Sequence, residues 1–120
     1  MYEVFTYTDK SGNSSIDNYI DELVSKDDKD SRINANKMLA YIAYLERCGA
    51  QAREPYAKHL DGDIWELRPI RNRILYAAWD DNRFILLHLF KKDTQKTPRR
   101  EIEQAKRNLA EYRERVKDNG

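Results

Sequence analysis

The sequence predicts an α+β domain spanning residues 1–120: two N-terminal helices packed on an antiparallel sheet of about four strands, then a C-terminal helix. Three observations lead there. The stretch from Ile64 to Thr97 holds three strand-like runs joined by two tight turns and ends in a basic tail. Residues 14–49 carry two apolar patterns of helical period, and residues 97–116 carry a third. At 120 residues and 40% hydrophobic, the chain has apolar material for one core but not two.

Tyr2 to Thr8 alternates and is rich in Val, Phe, Thr and Tyr, so it reads as a strand broken by Lys10-Ser11-Gly12-Asn13. Ser14 or Ser15 caps a short helix bearing Ile16, Tyr19, Ile20 and Leu23. The polar run Asp27 to Ser31 separates it from a longer helix with the stripe Ala35, Met38, Leu39, Ile42 and Leu45, which Gly49 stops. So short a connection makes the two helices antiparallel. The single cysteine, Cys48, excludes an internal disulfide and reads as a small buried hydrophobe near the helix end. Ala50 to Ala57, with Pro55, reads as a loop leading to Lys58-His59-Leu60, and Asp61-Gly62 as a turn. Ile64 to Arg68, Arg73 to Trp79 and Phe84 to Lys92 then form a meander. Thr97 reads as the N-cap and Pro98 as the first residue of the last helix, whose stripe is Ile102, Ala105, Leu109, Tyr112 and Val116.

Turns centred on Ile70-Arg71 and Asp81-Asn82 set Arg68 opposite Arg73, Leu75 opposite His88, and Trp79 opposite Phe84. Alternation then sorts the meander into a core face (Trp65, Leu67, Ile74, Tyr76, Ala78, Ile85, Leu87, Leu89) and a working face (Glu66, Arg68, Arg71, Arg73, Leu75, His88, Phe90, Lys92). The opposite sorting would bury two arginines without partners.

The net charge is only +1, but it is unevenly spread. Residues 1–30 carry eight acids against three bases, and residues 82–107 carry eight bases against three acids. Such asymmetry fits a focused phosphate-binding face, and also an uneven solvated surface. Arg99 and Arg100 occupy the first turn of a helix, where the dipole disfavours cations unless an anionic partner is present. No run of apolar residues is long enough to span a membrane, the N-terminus lacks a signal-peptide core, and the chain is expected in the cytoplasm. Phosphate-binding glycine loops, metal-spaced histidine pairs and nucleophile elbows are missing, and no cofactor or metal is expected. The remaining arginines and lysines can hold a phosphodiester and neutralise charge developing on it. Arg68 and Arg73 can equally be a surface pair bonded to Glu66 and Asp93. His88 can equally be a hydrogen-bonded packing residue, and Tyr112 reads as packing.

Trp65-Glu66-Leu67-Arg68, then Leu86-Leu87-His88-x-Phe90-x-Lys92, Thr94 to Pro98, Glu101-Ile102 and Ala105 together resemble the HigB-like, phage-derived branch of the RelE/ParE toxin superfamily, over about residues 58–115. The resemblance implies a compact RelE-like fold and the toxin of a type II toxin–antitoxin pair. It implies an antitoxin partner of helix-turn-helix type, with operator DNA reached only through that antitoxin, and no membrane partner. It further implies metal-independent, ribosome-dependent cleavage of messenger RNA by the 2′-hydroxyl. Arg68, Arg73 and Lys92 would be catalytic. Lys58, Arg71, His88, Lys91, Gln95, Lys96, Thr97, Arg99 and Arg100 would contact RNA or ribosome. The chain departs from relatives at Asp93, where a second lysine is common. The alternatives are a ParE-like inhibitor of DNA gyrase and a degenerate toxin that only binds.

Overall fold

The structure, a computed structural model, describes residues 1–119. In order, the elements are β1 (Glu3–Thr6), α1 (Ser15–Ser25), α2 (Lys29–Cys48), a 3-10 turn (Gly49–Gln51), β2 (Ala57–Asp61), β3 (Ile64–Leu67), β4 (Asn72–Ala78), β5 (Arg83–Lys91) and α3 (Arg99–Asn119). They form the expected α+β architecture with a sheet of order β1-β5-β4-β3-β2. The sheet has five strands, and β1 runs parallel to β5 while the other pairings are antiparallel. The additional strand is β2, which contains Lys58-His59-Leu60 and closes on β3 through the turn at Gly62, whose φ is +57°.

Ser14 caps α1, its hydroxyl accepting from Asp17 N at 3.1 Å. Asp28 caps α2 through Ser31 N at 2.8 Å, so the second helix starts at Lys29, inside the run expected to separate the two. Gly49 ends α2 at φ +52°, beneath the ring of Tyr2. In the α2 stripe, Ala35, Met38 and Leu45 are buried, whereas Leu39 stands 47% exposed at the rim of the packing face.

The expectation of one core is corrected: apolar side chains pack on both sides of the sheet. Ile16, Leu23, Met38 and Leu45 of the paired helices meet Leu67, Ile74, Tyr76, Phe84 and Leu86. Ile102, Ala105 and Leu109 of α3 meet Ile64, Leu75, Ala77, Ile85 and Leu87. A sheet covered on both faces reads as continuous apolar runs, as Ile74 to Ala78 and Phe84 to Leu87 do.

The first hairpin has the expected register, with Leu67 opposite Ile74 and Glu66 opposite Leu75. The second starts as expected, Leu75 facing His88, then slips: Tyr76 faces Leu86 and Ala78, not Trp79, faces Phe84. Leu87 is thus the extra residue of a β-bulge. Ile85 and Leu87 therefore face α3, while Phe84 and Leu86 take the side expected of their neighbours. The slip lets both halves of β5 bury leucines against a helix.

The last helix is fastened along its length. Asn108 Nδ2 donates to Leu87 O at 2.8 Å, Lys106 pairs with Asp61 at 2.7 Å, and the Tyr7 hydroxyl donates to Glu111 at 2.7 Å. Arg115 bonds Glu111 and the Thr8 carbonyl and lies 5.0 Å from the Tyr112 ring centroid. Tyr112 packs as expected, against Phe5, Tyr7 and Trp79. Thr97 is not the N-cap. The carbonyl of Pro98 accepts from Ile102 N at 3.4 Å, and the Thr97 hydroxyl goes elsewhere.

Candidate functional site

One row of side chains crosses the α3 side of the sheet: Lys58 pairs with Glu66, Glu66 with Leu75, and Leu75 with His88. At the end of the sheet beyond this row, α3 no longer covers the strands, and charged groups collect. Their centre is Glu66, only 2% exposed. Its Oε1 lies 3.7 Å from Arg68 Nε and 3.9 Å from Arg73 Nε, and its other oxygen accepts the Thr97 hydroxyl. A carboxylate so deeply buried requires such company.

The two arginines are not equivalent. Arg73 is 7% exposed, and its Nη1 donates to Pro69 O and Asn72 O, each at 2.9 Å. Burial pulls its guanidinium below the usual value, Glu66 opposes that, and Arg68 adds to the depression. Arg68 keeps a quarter of its side chain in solvent and reaches Glu54 at 3.6 Å. Of the partners expected for such a pair, Glu66 is present, and Glu54 stands in the place expected of Asp93.

Two clefts open beside this cluster. One, of about 380 Å³, is lined by Lys58, Glu66, Arg68, Lys96 and Thr97, among others. The second, of about 100 Å³, holds Arg73, Lys92, Asp93, Lys96, Arg100 and Glu101. Gln95, Lys96 and Thr97 line both, so the clefts adjoin. His88 stacks on Phe90 and bonds Glu101 at 2.8 Å, which orients the imidazole, but it lines neither cleft. Among the described residues, Lys58, Lys92 and Lys96 form no ion pair, leaving their charge available to an anion.

The structure therefore gathers Lys58, Arg68, Arg73, Lys91, Lys92, Gln95, Lys96, Thr97 and Arg100. Arg99 stands apart, paired with Asp61 and Glu103 at 2.7 and 2.8 Å. Arg71 does not share the face of Arg68 and Arg73. It lines a third cleft on the side of α1 and α2, which Lys91 also enters. Arg71 sits in the turn before β4, where strict alternation does not extend. Glu66 was expected on the working face and as a partner of the arginines, but no catalytic or RNA-binding role was assigned to it. Its i, i+2 spacing from Arg68 on one strand was the available signal. Among the described residues, no three His, Cys, Asp or Glu side chains group as metal ligands do.

The fold is thus a small α+β protein in which a buried carboxylate lies between two arginines beside lysine-lined clefts. Residues 21–110 match the family described as Phage derived protein Gp49-like (DUF891), and the chain belongs to that family. This membership is consistent with a toxin-like protein. No curated protein matches the chain.

Proposed function

We propose that this protein is the toxin of a type II toxin–antitoxin system, of the HigB-like kind, and that it arrests translation by cutting messenger RNA on the ribosome. The supporting observation is the junction of Arg68 and Arg73 on Glu66 beside clefts whose Lys58, Lys92 and Lys96 form no ion pair among the described residues. In the reaction the RNA 2′-hydroxyl attacks the adjacent phosphorus and its proton passes to a base. The bond to the 5′-oxygen breaks, and that oxygen takes up a proton. A 2′,3′-cyclic phosphate and a 5′-hydroxyl result. Arg68, the more accessible guanidinium, bears on the non-bridging oxygens where charge accumulates. Arg73 holds the second guanidinium in place, and Lys92 serves the leaving oxygen. Lys58 and Lys96 hold the flanking backbone. The antitoxin, the ribosome and operator DNA reached through the antitoxin are the partners this reading entails.

Translation in vitro with the protein added tests the proposal, with 5′ ends mapped by primer extension. Messenger cut in the ribosomal A site is expected, and Arg68→Ala should lower the rate about 10²–10³-fold, as removal of one transition-state donor does. Messenger left whole at all protein concentrations overturns it. A second reading, binding without cleavage, draws on the commitment of Arg73 Nη1 to two backbone carbonyls. It requires whole messenger together with no growth arrest when the protein is produced alone.

A further inference from the structure

A further cleft, of about 410 Å³, opens where β1 meets the helical pair. Much of its lining is apolar: Val4 of β1, Leu86 of β5, Ile20 of α1 and Ile42 of α2. Leu39 stands beside them and leaves nearly half of itself to solvent, although it belongs to the apolar stripe of α2. The rest of the wall is acidic. Asp17 and Asp21 both line the cleft, both are exposed, and neither forms an ion pair among the described residues. Asp17 lies in the first turn of α1, where the helix dipole favours a carboxylate, and accepts from the Thr6 hydroxyl at 2.9 Å. Asp21 has no such reward, and it stands one turn from Asp17, where like charges repel. Residues 1–30 carry eight acids against three bases, which adds to the field. The backbone of β1 is also open. It is an edge strand, and Glu3 N and Tyr7 N donate to Asn82 O and Leu86 O of the neighbouring chain segment at 2.9 and 2.7 Å. Alternate residues of a strand face opposite neighbours, so the amides and carbonyls of Val4 and Thr6 point to the free edge. Val4 and Thr6 are the β1 residues that line the cleft.

We propose that this edge docks an extended, basic segment of a protein partner, which adds to the sheet as a strand beside β1. An apolar side chain of that segment enters the cleft against Val4 and Leu39, and a lysine or arginine faces Asp17 and Asp21. Residues opposite Val4 and Thr6 share their face of the sheet, so backbone pairing and the cleft select the same side chains. The strand edge supplies affinity, and the cleft with its two carboxylates sets which segment fits. RNA and anionic lipid are disfavoured, because the acids repel phosphate. A second copy of the chain is disfavoured too: two β1 edges paired about a twofold axis bring Asp17 and Asp21 of both copies to the same face. The surface is separate from the arginine end. Leu86 precedes Lys91 along β5 by roughly 16 Å of strand, and β1 and β2 are opposite edges of the sheet. A partner held at β1 therefore leaves Lys58 and Arg68 open to an anion. The proposal does not depend on the RNA-cleaving reading.

The full-length protein, isotopically labelled, is titrated to millimolar concentration with the end-blocked peptide Thr-Lys-Thr-Leu-Thr-Lys-Thr, one face of which carries leucine between two lysines. Amide and methyl resonances are followed together with amide hydrogen exchange. The peptide should move the signals of Val4, Thr6, Leu39 and Ile42 and slow exchange at the Val4 and Thr6 amides, while Lys58 and Lys96 stay in place. A peptide with glutamate in place of both lysines should bind about tenfold more weakly or worse. Asp21→Lys, an exposed change that also relieves the repulsion from Asp17, should weaken the lysine peptide about as much. Signals of β1 that the lysine peptide leaves unmoved overturn the proposal, as does equal binding of the glutamate peptide. Shifts in the cleft without slower exchange at Val4 and Thr6 overturn the added strand, and movement at Lys58 and Lys96 overturns the separation of the two surfaces. A dimer of the free protein in sedimentation that protects the same two amides assigns the edge to a second copy and overturns it as well. Messenger cleavage enters none of these readouts, so either reading can fail alone.

Discussion

Replacing Glu66 by alanine tests whether one buried carboxylate organises the site. The side chain is 3% exposed and faces two guanidinium groups and a hydroxyl. Breaking a buried ion pair by removing one partner costs about 3–5 kcal/mol. Two features reduce this. Separations of 3.7 and 3.9 Å are longer than a hydrogen bond, and Arg73 retains both backbone acceptors while Arg68 retains Glu54 and some water. The expected cost is therefore about 2–3 kcal/mol, below that range. With a urea slope of about 1.5 kcal/mol/M, the midpoint should fall by roughly 1.3–2 M at constant slope. Glu66→Gln keeps an acceptor for Thr97 but loses the charge, and should fall by about half as much. A midpoint for Glu66→Ala within about 0.3 M of the parent would refute the idea that this carboxylate binds the cluster together.

Two further outcomes concern the rest of the fold. Met38, fully buried between α2 and the sheet, should cost about 2–5 kcal/mol as alanine, read by the same unfolding curves. Tyr7 is pushed up from 10.0 to about 12, first by burial and then by its hydrogen bond to Glu111. Because the fold favours the neutral phenol, its contribution is complete below pH 10 and is lost as pH rises through about 12. The stability difference between the parent and Tyr7→Phe should narrow across that window, and a constant difference would refute the assignment.

How much of this was legible in the chain varied with the physics of each segment. The helices were readable because Ser14 and Gly49 mark ends with their own backbone chemistry, and the first hairpin because its turn length fixes register. The strand at Lys58-His59-Leu60 was hidden because an edge strand with exposed Lys58 and His59 shows little apolar alternation. The parallel partnership of β1 with β5 depends on which edge is left free after the meander closes, a property of the assembled sheet. In the site, the pairing of Arg68 with Arg73 followed from register. The depth at which Arg73 sits goes with its bonds to the Pro69 and Asn72 carbonyls, which pattern reading does not place.

The extra residue in β5 has a consequence for how the strand can change over time. Leu87 and His88 follow one another yet both lean toward α3, so the strand is written in two reading frames. Upstream, even positions such as Phe84 and Leu86 serve the helical pair. Downstream, even positions such as His88 and Phe90 serve the other side. The frame change separates a packing half from a site-bearing half. Side chains at the charged end can be exchanged without disturbing the inside–outside order of the half that holds the sheet together, provided the inserted leucine stays.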